Sequence, residues 1–98
     1  MEIEFRNSDL DRLETDINFD GGFGRDVVKA FRKRIQAVRA ALDERDLYAV
    51  RGNKFEKLKG NRSHQYSMRL NDQWRLILEI KSATPKNIVV VIDIEDYH

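Results

Sequence analysis

The chain has 98 residues, 41% of them hydrophobic and 36% charged, with a net charge of +1. This is the composition of a charge-rich globular protein rather than a disordered one, and the length suits one small domain over residues 1–98 with one modest core. The absence of cysteine excludes a disulfide framework, a thiolate zinc site and a cysteine nucleophile. No apolar run approaches ~20 residues, and Met1–Phe5 does not read as a secretory signal, so a cytoplasmic protein without membrane contact is expected.

Residues 2–5 alternate in polarity and predict a short strand. Ser8 followed by Asp11 predicts a helix start, with Leu10, Leu13 and Ile17 along one apolar side. Asp20-Gly21-Gly22-Phe23-Gly24 predicts a linker. It is not a phosphate loop, because no strand leads into it and no Lys-Ser/Thr pair follows. From Asp26 to about Arg45 the apolar period is helical, with Val27, Phe31, Ile35, Val38 and Leu42 on one stripe. About twenty such residues make a helix of roughly 30 Å, long enough to cover a small sheet.

After Gly52 the period changes to two. Lys54–Lys59 predicts a strand that bulges or ends early, since Phe55 and Leu58 are out of phase. Gln65–Leu70 and Trp74–Ile80 predict a hairpin. A two-residue loop would mix apolar and charged side chains on both faces. A three-residue loop, Asn71-Asp72-Gln73, pairs Leu70 with Trp74, Arg69 with Arg75 and Met68 with Leu76, and so collects Tyr66, Met68, Leu70, Trp74, Leu76 and Leu78 on one face. That register makes two arginines cross-strand neighbours, which requires compensation from Glu79 or an anionic ligand. Ser82–Asn87 predicts a turn, and the nearly unbroken apolar run Ile88–Ile94 predicts a central strand buried on both faces. The expected fold class is α+β, with N-terminal helices packed on a mostly antiparallel twisted sheet.

The net charge conceals a division. Residues 1–24 carry −5, residues 25–62 carry +7 and residues 63–98 carry −1. The middle segment suits a polyanion, although a solvated helix face has the same composition. The chain then ends on Asp96-Tyr97-His98, which sets a carboxylate, a phenol and one of two imidazoles beside a core strand. Proton-transfer groups near fixed cations point to chemistry on RNA.

Three blocks carry a resemblance: Lys54-Phe55-Glu56-Lys57-Leu58-Lys59-Gly60-Asn61-Arg62, then Gln65 through Arg75 with its Asn71-Asp72-Gln73-Trp74-Arg75 end, then Asp96-Tyr97-His98. Together they resemble the HigB branch of the RelE/ParE toxins of bacterial type II toxin–antitoxin modules, over residues 54–98. The resemblance implies a microbial-RNase-like fold and an mRNA endonuclease acting in the ribosomal A site. It also implies a cognate HigA-like helix-turn-helix antitoxin, and ribosomal RNA and mRNA as further partners. One position departs. Where a subset of the branch has a catalytic histidine, this chain has Glu56. Either Glu56 transfers protons itself, or the work shifts to Tyr97 and His98, or activity is weak.

Cleavage of RNA without a metal needs a base for the 2′-hydroxyl, an acid for the leaving oxygen and cations for the phosphate. No cofactor or metal is expected, since His64 and His98 are isolated and the C-terminal acids form one adjacent run. His98, with an unperturbed pKa of ~6.5, Tyr97 and Glu56 are the candidate proton carriers, with Asp96 in support. Arg75 is the candidate phosphate ligand, because an arginine in an apolar run must face outward or be paired. Lys59 and Arg69 assist it. Lys57, Arg62, Lys29, Arg32 and Lys33 are candidate contacts to the RNA backbone by counterion release, and Gln73 at the hairpin tip is suited to a base edge. Trp74 is expected in the core, His64 in a loop, and Asn71 as a turn residue. Two rival functions remain open: a non-enzymatic gyrase-binding toxin of the ParE type, and a degenerate member that only binds its antitoxin.

Overall fold

The computed structural model describes residues 1–96. The chain opens with strand β1 (Glu2–Phe5), followed by helices α1 (Ser8–Thr15), α2 (Arg25–Ala40) and α3 (Glu44–Ala49). Strands β2 (Glu56–Lys57), β3 (Tyr66–Arg69), β4 (Trp74–Lys81) and β5 (Ile88–Asp96) complete it, with short 3-10 turns at Arg51–Asn53 and Gly60–Arg62. The architecture is α+β. The sheet order is β1-β5-β4-β3-β2, with β1 parallel to β5 and the other neighbours antiparallel. Among the described residues no helix is long and apolar enough to cross a membrane.

The helices start where side chains can serve unpaired amides. Asn7, one residue before the expected Ser8, caps α1 by accepting from the Leu10 amide at 2.9 Å. Leu10 and Leu13 are buried as expected, but Ile17 is 82% exposed because α1 ends at Thr15. The helix expected to run to about Arg45 stops at Ala40 instead. Asp43 caps a separate helix α3, and the Leu42 amide donates to Asp46 Oδ2 at 2.8 Å. The Met1 ammonium closes the end of α2, donating to the carbonyls of Val38, Arg39 and Ala41 at 3.0, 3.2 and 2.6 Å. A cation on the terminal carbonyls satisfies both their hydrogen bonding and the helix dipole. Between α1 and α2, Gly21 and Gly22 take φ of +61° and +85°, the left-handed turn that residues with a Cβ resist.

Val27, Phe31, Ile35 and Val38 press the α2 stripe onto one face of the sheet, against Met68, Leu70, Leu76, Leu78, Val89 and Val91. The predicted hairpin register is found: Met68 pairs with Leu76 and Arg69 with Arg75, and the Leu70 amide donates to the Trp74 carbonyl at 3.0 Å. β2 is only two residues long, so the strand predicted over Lys54–Lys59 does end early. β5 differs from its reading. Its register against β4 slips between Ile77 and Leu78, so that Ile77 faces Asp93 and Leu78 faces Val91. The extra residue lets Val89, Val91 and Ile94 all reach the core. The strand is therefore fully buried on the helix face alone, while Ile88, Val90 and Ile92 are half-buried on the opposite face.

Candidate active site

Among the described residues no helix covers that second face, and strand alternation decides what it displays. Arg69 and Arg75 lie directly opposite each other on it, and Glu95 of β5 lies opposite Arg75 on the other side. Glu56 pairs with Ser67, two residues from Arg69, so its carboxylate belongs to the same face. Two facing arginines repel, and the sheet offsets them with residues other than the expected Glu79. Arg69 is in an ion pair with Asp72, whose carboxyl it holds below the usual range. Arg75 has Glu95 beside it in register. Glu79 is engaged further along, accepting from Gln65 Nε2 at 3.2 Å and lying 3.8 Å from Arg6 and 3.9 Å from the loop residue His64.

Arg62 enters this face from its 3-10 turn. Its Nη1 and Nη2 donate to Glu95 Oε1 and Oε2 at 2.9 and 2.8 Å, and its Nε donates to Gln65 Oε1 at 2.9 Å. The hydrogen bonds to Glu95 raise the pKa of its guanidinium. Lys59 stands exposed just before the same turn.

The hairpin tip is built by Asn71. Its Oδ1 accepts from the amides of Gln73 and Trp74 at 2.9 and 2.7 Å, and its Nδ2 donates to Asp26 at the start of α2 at 2.8 Å. That bond keeps the Asp26 carboxyl below its ordinary pKa. Gln73 Nε2 then reaches Asp96 Oδ2 at 3.1 Å, tying the tip to the end of β5. Trp74 packs against the core, edge-on to Phe23 at 5.4 Å. Beneath the hairpin, Arg34 of α2 donates to the carbonyls of Arg69 at 3.1 Å and Gly52 at 3.3 Å. Burial and the nearby Arg69 lower the pKa of Arg34.

The open face, its arginine pair and the C-terminal strand beside it invite comparison with known proteins. A family model for the RelE-like toxin of the type II toxin–antitoxin system HigB matches residues 3–98. The chain belongs to the HigB-like toxins. Toxin HigB-1 of Vibrio cholerae serotype O1 is 32% identical over 79 residues, covering 81% of this chain and 83% of that one. A solved YoeB/ParE toxin from Agrobacterium tumefaciens superposes with a TM-score of 0.64 at 19% identity over 100% of both chains, a likeness of fold. Membership of a type II toxin–antitoxin family implies an antitoxin partner.

In this HigB-like toxin the candidate residues fall into separate places. Arg75, Arg69, Glu56 and Arg62 share the open face, while Asp96, opposite Trp74 in register, meets Gln73 at the hairpin tip. Tyr97 and His98 lie outside the described residues. Lys57 points to the helix side, with Nζ 6.0 Å from the Tyr66 ring centre. The helix layer carries Lys29 and Lys33, exposed on the far side of the sheet from Arg75. Arg32 is engaged within the helix layer. Its Nε donates to the Leu13 carbonyl at 3.0 Å and its Nη2 to those of Asp16 and Phe19 at 3.0 and 3.2 Å, which fastens the α1–α2 turn. Arg32→Met is expected to lower stability by about 1–3 kcal/mol, the scale of hydrogen bonds to a charged group, and to leave RNA affinity unchanged. Chemical denaturation and RNA binding measured on the same variant check both halves.

Sequence reasoning missed Glu95 and Arg34. Glu95 carries no signal of its own, because its face depends on the register slip in β5. Arg34 sits between stripe residues of α2, and nothing in a helical period singles it out as a ligand for distant carbonyls.

Proposed function

We propose that the protein is a ribosome-dependent mRNA endonuclease that cuts by attack of a 2′-hydroxyl on the adjacent phosphodiester. The products are a 2′,3′-cyclic phosphate and a 5′-hydroxyl. The observation that carries this reading is the Arg69–Arg75 pair, set side by side on the sheet face away from the helices with Glu56 on a neighbouring strand. Two guanidiniums held at fixed strand spacing are suited to the charge that accumulates on a pentacoordinate phosphate. Arg75 takes the phosphate, with Arg69 and Lys59 in support. His98, Tyr97 and Glu56 are the proton carriers, and Asp96 supports the C-terminal groups. At Glu56 a carboxylate stands in place of an imidazole, so the base function there falls on a carboxylate oxygen as proton acceptor. Lys57, Arg62, Gln73, Lys29 and Lys33 contact mRNA or ribosomal RNA in the A site. The partner that silences the toxin is a HigA-like helix-turn-helix antitoxin.

Mapping of mRNA 5′ ends in cells expressing the chain without antitoxin tests the reading. Cuts within translated frames that disappear with His98→Ala are expected. Growth arrest without cuts would overturn the nuclease and favour a ParE-type gyrase toxin. No arrest at all would leave an antitoxin-binding module.

A further inference from the structure

Arg62 and Glu95 form a two-pronged ion pair on the open face, and they form it next to Arg75. Both nitrogens of the Arg62 fork meet both oxygens of Glu95. A guanidinium fork accepts a carboxylate and a phosphate in the same geometry, so the Glu95 carboxylate has the shape and charge of a bound phosphodiester. The pair is within reach of solvent anions, with Arg62 and Glu95 side chains 41% and 36% exposed. An ion pair this exposed contributes little net stability and is open to exchange.

We propose that Arg62 and Arg75 together form a seat for an RNA phosphate adjoining the cleavage point, and that Glu95 is its built-in competitor. RNA enters by displacing the Glu95 carboxylate from the Arg62 fork, so the toxin carries an internal brake on its own substrate affinity. This assignment rests on the nuclease reading above and specifies how that site is filled. No covalent step is involved; one anion replaces another on Arg62.

The test is binding of an uncleavable 2′-O-methyl RNA, free in solution and as the message on programmed ribosomes, followed by fluorescence anisotropy at several salt concentrations. Glu95→Gln keeps the side-chain shape while removing the competing charge. It is expected to tighten binding by about three- to tenfold with the salt dependence little changed, because Arg62 meets a phosphate in the bound state of both proteins. Glu95→Asp, which retains the charge but cannot span the fork as well, is expected to give a smaller gain. Arg62→Gln weakens binding, and in that background Glu95→Gln brings no gain. Unchanged or weaker binding by both Glu95 variants overturns the proposal. So does an equal gain with and without Arg62, which would be a plain charge effect. A wild-type protein that binds neither form of RNA would remove the nuclease reading itself.

Discussion

Arg75→Ala is expected to reduce mRNA cleavage by about 10²–10³-fold, the loss seen when one preorganised donor to a developing anion is removed. The position is demanding. Arg75 stands in a strand whose neighbours Leu76, Ile77 and Leu78 are buried, and it is itself half-buried, so its charge is held in a partly desolvated setting where it acts strongly on a nearby phosphate. Strand pairing fixes its direction, between Arg69 on one side and Glu95 on the other. Arg75→Lys keeps the charge but loses the planar fork, and an intermediate loss is expected. Folding should be little affected by Arg75→Ala, because the facing Arg69 is relieved of a like charge. Single-turnover cleavage on programmed ribosomes, with a thermal melt as control, separates the two effects. A folded Arg75→Ala protein that cuts at the wild-type rate would remove the open face from the chemistry.

The largest effect on stability is expected from Phe31→Ala. Phe31 is 0% exposed at the centre of the α2 stripe, facing the sheet core. Emptying such a site costs about 3–5 kcal/mol, a large share of the roughly 5–15 kcal/mol that holds a domain of this size. At ~4–8 °C per kcal/mol the melting temperature should fall by at least about 12 °C. Leu42 makes the contrast. Sequence period puts it on the same stripe, yet it is 79% exposed beyond the end of α2. Leu42→Ala should therefore change stability by less than about 0.5 kcal/mol. Equal losses from the two substitutions would mean that the helix continues to Leu42 in solution.

Where local periodicity has one low-energy solution, residues alone led to the structure. The hairpin is the clearest case. A strand buried on one face tolerates no slip of register, so the alternation of Tyr66, Met68 and Leu70 with Leu76 and Leu78 was enough to place Arg69 opposite Arg75. The stripe Val27, Phe31, Ile35 and Val38 located α2 in the same way. The candidate site was legible to the extent that it follows from that hairpin. Arg75 stood out because a charge in an apolar run must be accommodated, whereas the bonds of Arg32 were not legible, because an outward helical position does not reveal that three carbonyls of another turn lie within reach.

The sequence by itself determined the α+β order, the one-sided hairpin with its arginine pair, and the family motifs from Lys54 to His98. Tertiary structure alone decided what closes the end of α2, since the Met1 ammonium reaches its last carbonyls from the far end of the chain segment. It also decided which face receives Glu95, because one extra residue in β5 inverts the alternation beyond Ile92. And it decided the charge pairs on the open face. Coulombic and hydrogen-bonding partners such as Arg62 and Glu95 are 33 residues apart in the chain, and their meeting depends on the fold rather than on any local pattern.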